Sequence, residues 1–181
     1  MVLPKITETI EIPEGVTIEL VKKVLKTKGP KGEIERKFSA RNVSLSIATN
    51  QIILSSEKPT KREKKMINTF KAHIKNMLEG VKGGYIYKLK ICSGHFPMTV
   101  TVEEDKLIIK NFVGEKVPRK AKILQNVKVE IAGEEITVES ANKEAAGQTA
   151  SNIELATIIR NKDRRIFQDG IYITEKAIKT E

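Results

Sequence analysis

Residues 42–56 read NVSLSIATNQIILSS, and residues 126–140 read NVKVEIAGEEITVES. Laid one over the other, these 15-residue stretches share six identities: Asn, Val, Ile, Ala, Ile and Ser. Val43, Leu45 and Ile47 alternate with polar residues in the first copy, as Val127, Val129 and Ile131 do in the second. Period-two alternation marks a strand with one face buried. The turn residues Thr49-Asn50 and Gly133-Glu134 suit a hairpin. A hairpin that recurs in register, in a chain of 181 residues, points to an internal duplication.

The flanks extend the repeat. TIEIPEGVTIEL from Thr9 and TVTVEEDKLIIK from Thr99 both read as alternating strands around an acidic turn. A glycine–acid pair precedes each hairpin, Gly32-Glu33 and Gly114-Glu115, and a helical pattern follows each. In the first helix Thr60 and Glu63 have capping-box spacing just after Pro59. Met66, Ile67, Phe70, Ile74, Met77 and Leu78 then fall on one helical face. The second helix is expected from about Glu144 to Arg160, with a thin stripe of Ala146, Ala150, Ile153 and Thr157 that suits close packing on a sheet. Gly80, Gly83 and Gly84 punctuate the end of the first helix. The expected architecture is α+β: two tandem similar domains, 1–81 and 82–181, each a small antiparallel sheet covered by one helix. One helix shields only one sheet face, which leaves the other to solvent or a partner.

The formal charge is +10, from 33 basic and 23 acidic residues. An excess of this size attracts polyanions, and its interspersion with acids belongs to a folded basic protein rather than a basic tail. Residues 1–80 hold 16 bases and 9 acids, net +7, and the rest hold 17 and 14, net +3. No run of 18 apolar residues exists, so no membrane-spanning helix is expected. MVLPKITETIEI carries acids early and lacks an apolar signal core, so export is not expected. The single cysteine, Cys92, agrees with a reducing cytoplasmic setting.

Enzyme signatures are missing. His73 and His95 lie far apart in sequence; His73 reads as a helix histidine. Cys92 and His95 are three apart, but a structural zinc site needs four ligands and no second pair exists, so a structural role for CSGHFPM is expected and no metal. KGPKGE from Lys28 lacks the hydroxyl that follows the lysine in a phosphate-binding loop. No serine sits in a Gly-x-Ser-x-Gly elbow. Carboxylate pairs such as Glu103-Glu104 and Glu134-Glu135 fall in turns, where solvation explains them. No cofactor or small-molecule substrate is called for.

Three cationic turns carry more information. KTKGPKGEIERK places Lys26, Lys28 and Lys31 around a Gly-Pro hairpin tip, where glycine lets backbone amides approach oxygen-rich partners. KNFVGEKVPRKAKI concentrates Lys110, Lys116, Arg119, Lys120 and Lys122. NKDRRIFQDG adds Lys162, Arg164 and Arg165 directly after the second helix. The planar guanidinium fork suits phosphate oxygens, and phosphate contacts supply sequence-independent affinity for nucleic acid. Bases near a helix C-terminus also stabilise its dipole, and Phe167 and Tyr172 are expected in the core. With 4% aromatic residues and no tryptophan, recognition should rest on folded RNA shape and backbone rather than on stacking platforms.

IEIPEGV, KGPKGE, HFPMTV, GEKVPRKAKI and KDRRIFQDGIYI occur in this order across both halves. Together they resemble the family of the sixth protein of the large ribosomal subunit, in its archaeal and eukaryotic branch, from about Ile10 to Ile178. The bacterial branch carries a glycine- and lysine-rich hook where KDRRIFQDGIYI stands here. The resemblance implies a structural, cytoplasmic protein that binds large-subunit rRNA. It would sit near the stalk base and the sarcin–ricin loop, beside neighbouring ribosomal proteins and docking translational GTPases. It implies that the second domain makes the main rRNA contacts. Carried over, Lys162, Arg164, Arg165, Gln168, Asp169 and Gly170 match the C-terminal RNA-contacting segment. Gly114, Glu115, Lys116, Arg119 and Lys120, with Lys110 beside them, match an RNA-facing loop. The basic start of the first helix, Lys61, Arg62, Lys64 and Lys65, reads as a solvated surface. Rival readings are a free-standing module for another structured RNA and an RNA-processing enzyme.

Overall fold

The computed structural model describes residues 5–48, 50–57 and 59–179. Thr49, expected in the first hairpin turn, lies outside the described residues. The chain divides into two compact units, Met1–Gly83 and Gly84–Glu181. Each contains two small antiparallel sheets and one helix that packs on both. The fold class is the expected α+β, with the single expected sheet of each half resolved into two.

In the first unit β1 (Ile6–Glu11), β6 (Gln51–Ser56) and β5 (Ser44–Ala48) form one sheet in that spatial order. The second sheet is the meander β2 (Thr17–Val21), β3 (Val24–Gly29) and β4 (Gly32–Lys37). Helix α1 (Lys61–Gly83) lies against both. Its start follows the expected capping box: Thr60 Oγ1 accepts from the Arg62 amide at 3.2 Å, and the Thr60 amide donates to Glu63 at 2.9 Å. The Thr60 hydroxyl also donates to the Glu63 carboxylate, and these hydrogen bonds from the Thr60 hydroxyl and amide hold the Glu63 carboxyl below its ordinary range. Ile67, Phe70, Ile74, Met77 and Leu78 are buried, as are Leu25, Ile52 and Leu54 on the strands that α1 packs against. The helix runs past Gly80 to Gly83, because Gly80 is buried in its packed face and Gly84, with φ +81°, turns the chain.

In the second unit β11 (Lys128–Ala132), β12 (Glu135–Ser140), β7 (Tyr85–Cys92) and β13 (Gly170–Lys179) form a four-stranded sheet. The other sheet is β10 (Arg119–Lys122), β9 (Lys106–Lys110) and β8 (Thr99–Glu103). Helix α2 (Lys143–Ala156) inserts Ala146, Ala150 and Ile153 among Leu89, Leu107, Ile109, Ile136 and Val138. Small residues permit this approach: a Cβ on Gly147 would stand 3.0 Å from the Tyr87 hydroxyl. Asn142 caps the helix by accepting from the Glu144 amide at 3.0 Å. The helix stops at Ala156, short of the expected Arg160, where the Thr157 backbone leaves helical angles with φ −102° and ψ 15° and its hydroxyl turns to β13. It accepts from the Ile171 amide at 2.9 Å and so fastens the helix end to β13.

The quoted repeat holds to the residue. Leu45 pairs with Leu54 and Ile47 with Ile52; in the second copy Val129 pairs with Val138 and Ile131 with Ile136. Burial alternates identically along β6 and β12. The repeated asparagine has a backbone reason: Asn42 and Asn126 both take left-handed conformations, with φ +63° and +59°, which asparagine tolerates better than most residues. The expected match between the flanks does not hold. Thr9–Leu20 crosses from β1 in one sheet to β2 in the other, whereas Thr99–Lys110 is the β8–β9 hairpin. Alternation marks a strand but carries no information about its partner. The counterpart of β8–β9 is β2–β3.

Candidate nucleic-acid interface

Three loops meet at one end of the second unit: residues 93–98 after β7, 111–118 between β9 and β10, and 157–169 between α2 and β13. The middle loop is held by Phe112, which is buried, and opens with Asn111, Val113 and Gly114 all at positive φ. Val113, at +52°, is β-branched and strained there. Asn111 Nδ2 donates to the Pro97 carbonyl at 2.9 Å, and the Phe96 ring lies over Gly114. These contacts bind the first two loops together.

Arg119 rivets the second loop to the third. Its Nε donates to Glu115 at 2.8 Å and its Nη2 to the other carboxylate oxygen, while Nη1 donates to the Ala156 and Ile158 carbonyls, each at 2.9 Å. The Phe112 ring lies 4.3 Å below the guanidinium. The Ala156 carbonyl is one of the oxygens a helix end leaves unpaired, so the cation also complements the α2 dipole. The Arg119 hydrogen bond holds the Glu115 carboxyl below its ordinary range despite partial burial, and the nearby Lys162 charge adds to the effect.

Asp163 shapes the third loop. Its Oδ1 accepts from the Arg165 amide at 2.9 Å, an Asx turn, and its carbonyl accepts from the Phe167 amide at 2.9 Å. The Arg165 guanidinium lies along the same carboxylate, with contacts of 2.8–3.2 Å, yet its side chain is 89% exposed. The Arg165 hydrogen bond lowers the Asp163 carboxyl. Phe167 stacks on His95 at 4.8 Å and carries Lys162 Nζ 4.5 Å above its ring.

Asp169 ends the loop with its side chain 1% exposed. It accepts from the Gly94 amide, from the His95 amide at 3.0 Å, and pairs with His95 Nδ1 at 2.7 Å. Burial alone would raise its carboxyl. The His95 and Gly94 hydrogen bonds outweigh burial and hold it below the ordinary value. CSGHFPM therefore has a structural anchor in Asp169, and among the described residues no group of three or more His, Cys, Asp and Glu could hold a metal.

The twelve residues singled out in the sequence separate on this frame. Lys116, Lys162, Arg164, Arg165 and Gln168 are exposed on the clustered loops, with Gly114 at the turn beneath Phe96. Among the described residues no acid is ion-paired to Lys116, Lys162 or Arg164. Lys110 and Lys120 are exposed on the sheet face away from α2, since Ile109 and Ala121 beside them point into the core. Asp169 and Gly170 are both buried, and a Cβ on Gly170 would stand 3.0 Å from the Tyr172 ring. Arg119 and Glu115 are likewise spent on each other and on the helix end, which leaves Arg119 only 25% exposed. Tyr172, expected in the core, is 44% exposed and folds back so that its hydroxyl donates to the Gln168 carbonyl at 3.2 Å. Phe167 is half-buried against the core, as expected. Sequence reasoning missed the exposed Phe96, Val117 and Ile166 at this end. An apolar residue directly after a basic one in a loop, as in Arg-Ile-Phe and Lys-Val-Pro, was the available signal.

The fold and its cationic end define a duplicated α+β protein that presents positive charge on rigid loops. The sequence profile of the family Ribosomal protein L6 matches residues 12–84 and 96–170, one match per repeat. This chain belongs to that family, which is one of structural ribosomal proteins and not of enzymes. Archaeal relatives named Large ribosomal subunit protein uL6 align along nearly their whole lengths. That of Methanobrevibacter smithii is 47% identical over 97% of this chain and 99% of its own. That of Staphylothermus marinus is 51% identical over 94% and 95%, and that of Methanosarcina mazei 48% over 96% and 98%.

Proposed function

We propose that this protein is a structural constituent of the large ribosomal subunit, in the cytoplasm, and binds large-subunit rRNA mainly through its second domain. The observation that carries the reading is the loop cluster of Lys116, Lys162, Arg164 and Arg165. Its scaffold is fixed from within by Arg119, Asp163 and Asp169, so the exposed cations need little further ordering when they meet phosphate. Family membership supports the assembly, and the names of the relatives place them in the large subunit. The finer placement is the stalk base and sarcin–ricin loop, with neighbouring ribosomal proteins as contacts and the docking region of translational GTPases nearby. No membrane partner enters the reading, and no described helix is long and apolar enough to span one.

Co-sedimentation tests the assembly: the protein should travel with large subunits through high-salt sucrose gradients, and release into the free fraction would refute it. Hydroxyl-radical footprinting tests the placement. Protection should appear at the sarcin–ricin loop and stalk base, and protection confined to other rRNA regions would overturn it.

A further inference from the structure

The first domain has its own cationic end, at the opposite pole of its meander from the turn that corresponds to the 111–118 loop. The β2–β3 hairpin closes on the pair Val21 and Val24, so its two turn residues are Lys22 and Lys23. Both stand at positive φ, +47° and +71°. Two consecutive left-handed residues are the signature of the hairpin turn that favours Asn-Gly, because a Cβ is penalised at each position. The chain places two long cationic side chains where folding alone would select short or absent ones. Backbone strain retained at an exposed position points to a use other than folding.

The surroundings add charge without compensation. Lys37 pairs with Val24 beside the turn, and the Phe38 amide donates to the Lys23 carbonyl at 2.7 Å, which brings the following residues alongside. Lys23, Arg41, Asn42 and Ser44 rim a shallow hollow floored by Phe38 and Phe70. Among the described residues no ion pair neutralises Lys22, Lys23, Lys37 or Arg41. Further along the same sheet the charges are matched: Lys26 lies between Glu19 and Glu35, 3.2 Å from the latter, and Lys28 lies opposite Glu33. The corresponding turn of the second domain carries the opposite sign, Glu104-Asp105. A solvated surface has no need of this segregation.

We propose that the Lys22-Lys23 turn, with Lys37 and Arg41, is a second RNA-backbone contact site, separate from the loop cluster of the second domain. The proposal rests on the reading of the chain as an rRNA-binding protein. Its chemistry is that of phosphodiester oxygens met by ammonium and guanidinium groups, and it reads no base sequence.

The test uses the full-length chain and purified archaeal large-subunit rRNA, with Kd measured across KCl concentrations. Three proteins are compared: wild type, Lys22→Asn/Lys23→Gly, and Arg164→Ala/Arg165→Ala. The Asn-Gly pair suits the turn, so its thermal midpoint should stay or rise while the slope of log K against log salt falls by about 1.8, roughly 0.9 per lost contact. A slope changed by Arg164→Ala/Arg165→Ala but not by Lys22→Asn/Lys23→Gly overturns this inference and leaves the proposed function standing. A wild-type chain that does not bind the rRNA removes both. Formaldehyde crosslinking of native subunits supplies a readout without mutation: nucleotide adducts on the peptide holding Lys22 and Lys23 support the site. Crosslinks from it to protein alone would assign it to an acidic protein neighbour and overturn the RNA contact.

Discussion

The link between β3 and β4 in the first domain and that between β9 and β10 in the second occupy the same place in the repeat, yet they solve different problems. In the first, a tight turn folds onto the end of α1, and the Lys31 amide donates to the Val81 carbonyl at 3.0 Å. The backbone itself thus caps the helix, and Gly29 is required because a Cβ there would stand 2.5 Å from that oxygen. In the second, the link has grown into the 111–118 loop, and the side chain of Arg119 caps α2 instead. Transferring the cap from a backbone amide to a long side chain frees the loop to extend, so Lys116 and Val117 can project. The second domain also adds the 157–169 segment and β13, while the first passes from α1 through Gly84 directly into β7. Duplication preserved the hairpin and the helix seat; divergence is concentrated in what plugs the helix end.

The largest effect that would break this contrast concerns binding. Replacing Lys116, Lys162, Arg164 and Arg165 together by alanine should lower the salt slope of rRNA binding by about 3.6 and the affinity on the order of a thousandfold at 0.1 M salt. Titration across salt measures both, and an unchanged slope would remove the second domain from the interface. Next in size, Asp169→Ala should destabilise the second domain by about 2–3 kcal/mol in chemical denaturation, since the Gly94 and His95 amides lose their acceptor. The two helix caps give a matched pair of about 2 kcal/mol each: Gly29→Ala should harm the first domain by clash, and Arg119→Ala the second by loss of the cap. Equal sensitivity of both domains to both changes would contradict the contrast.

Acid offers a finer test. The Asp169 carboxyl titrates below its ordinary 3.8 in the folded state, so its contribution is complete above 3.8 and is lost as pH falls through the lower folded value. Thermal unfolding between pH 5 and 2 should therefore decline less steeply in Asp169→Asn than in the natural protein. The smallest effect belongs to Arg165→Ala, which should leave stability unchanged, because its pair with Asp163 is solvated, while it weakens rRNA binding.

Much of this was legible in residue order. Hydrophobic alternation and the shared Asn, Ile and Ser positions set out both hairpins, and the Thr60–Glu63 spacing set the start of α1. The loops that carry exposed cations were legible as well, since runs of lysine and arginine seldom bury. The sorting of individual residues within those loops was not. Arg119 and Arg164 look alike in sequence, but one is consumed by a helix end and a glutamate while the other stays open. Asp169 looked like a surface group and is an internal acceptor for a loop about 75 positions away.

By itself, the order of residues determined the duplication, the helix faces and the net attraction to polyanions, because these follow from local periodicity and summed charge. Strand partnership, the split of each half into two sheets and the division of cations between scaffold and surface were decided only by the tertiary structure. Each depends on which distant backbone oxygen or carboxylate lies within hydrogen-bond reach, and that distance exists only once the chain has closed on itself.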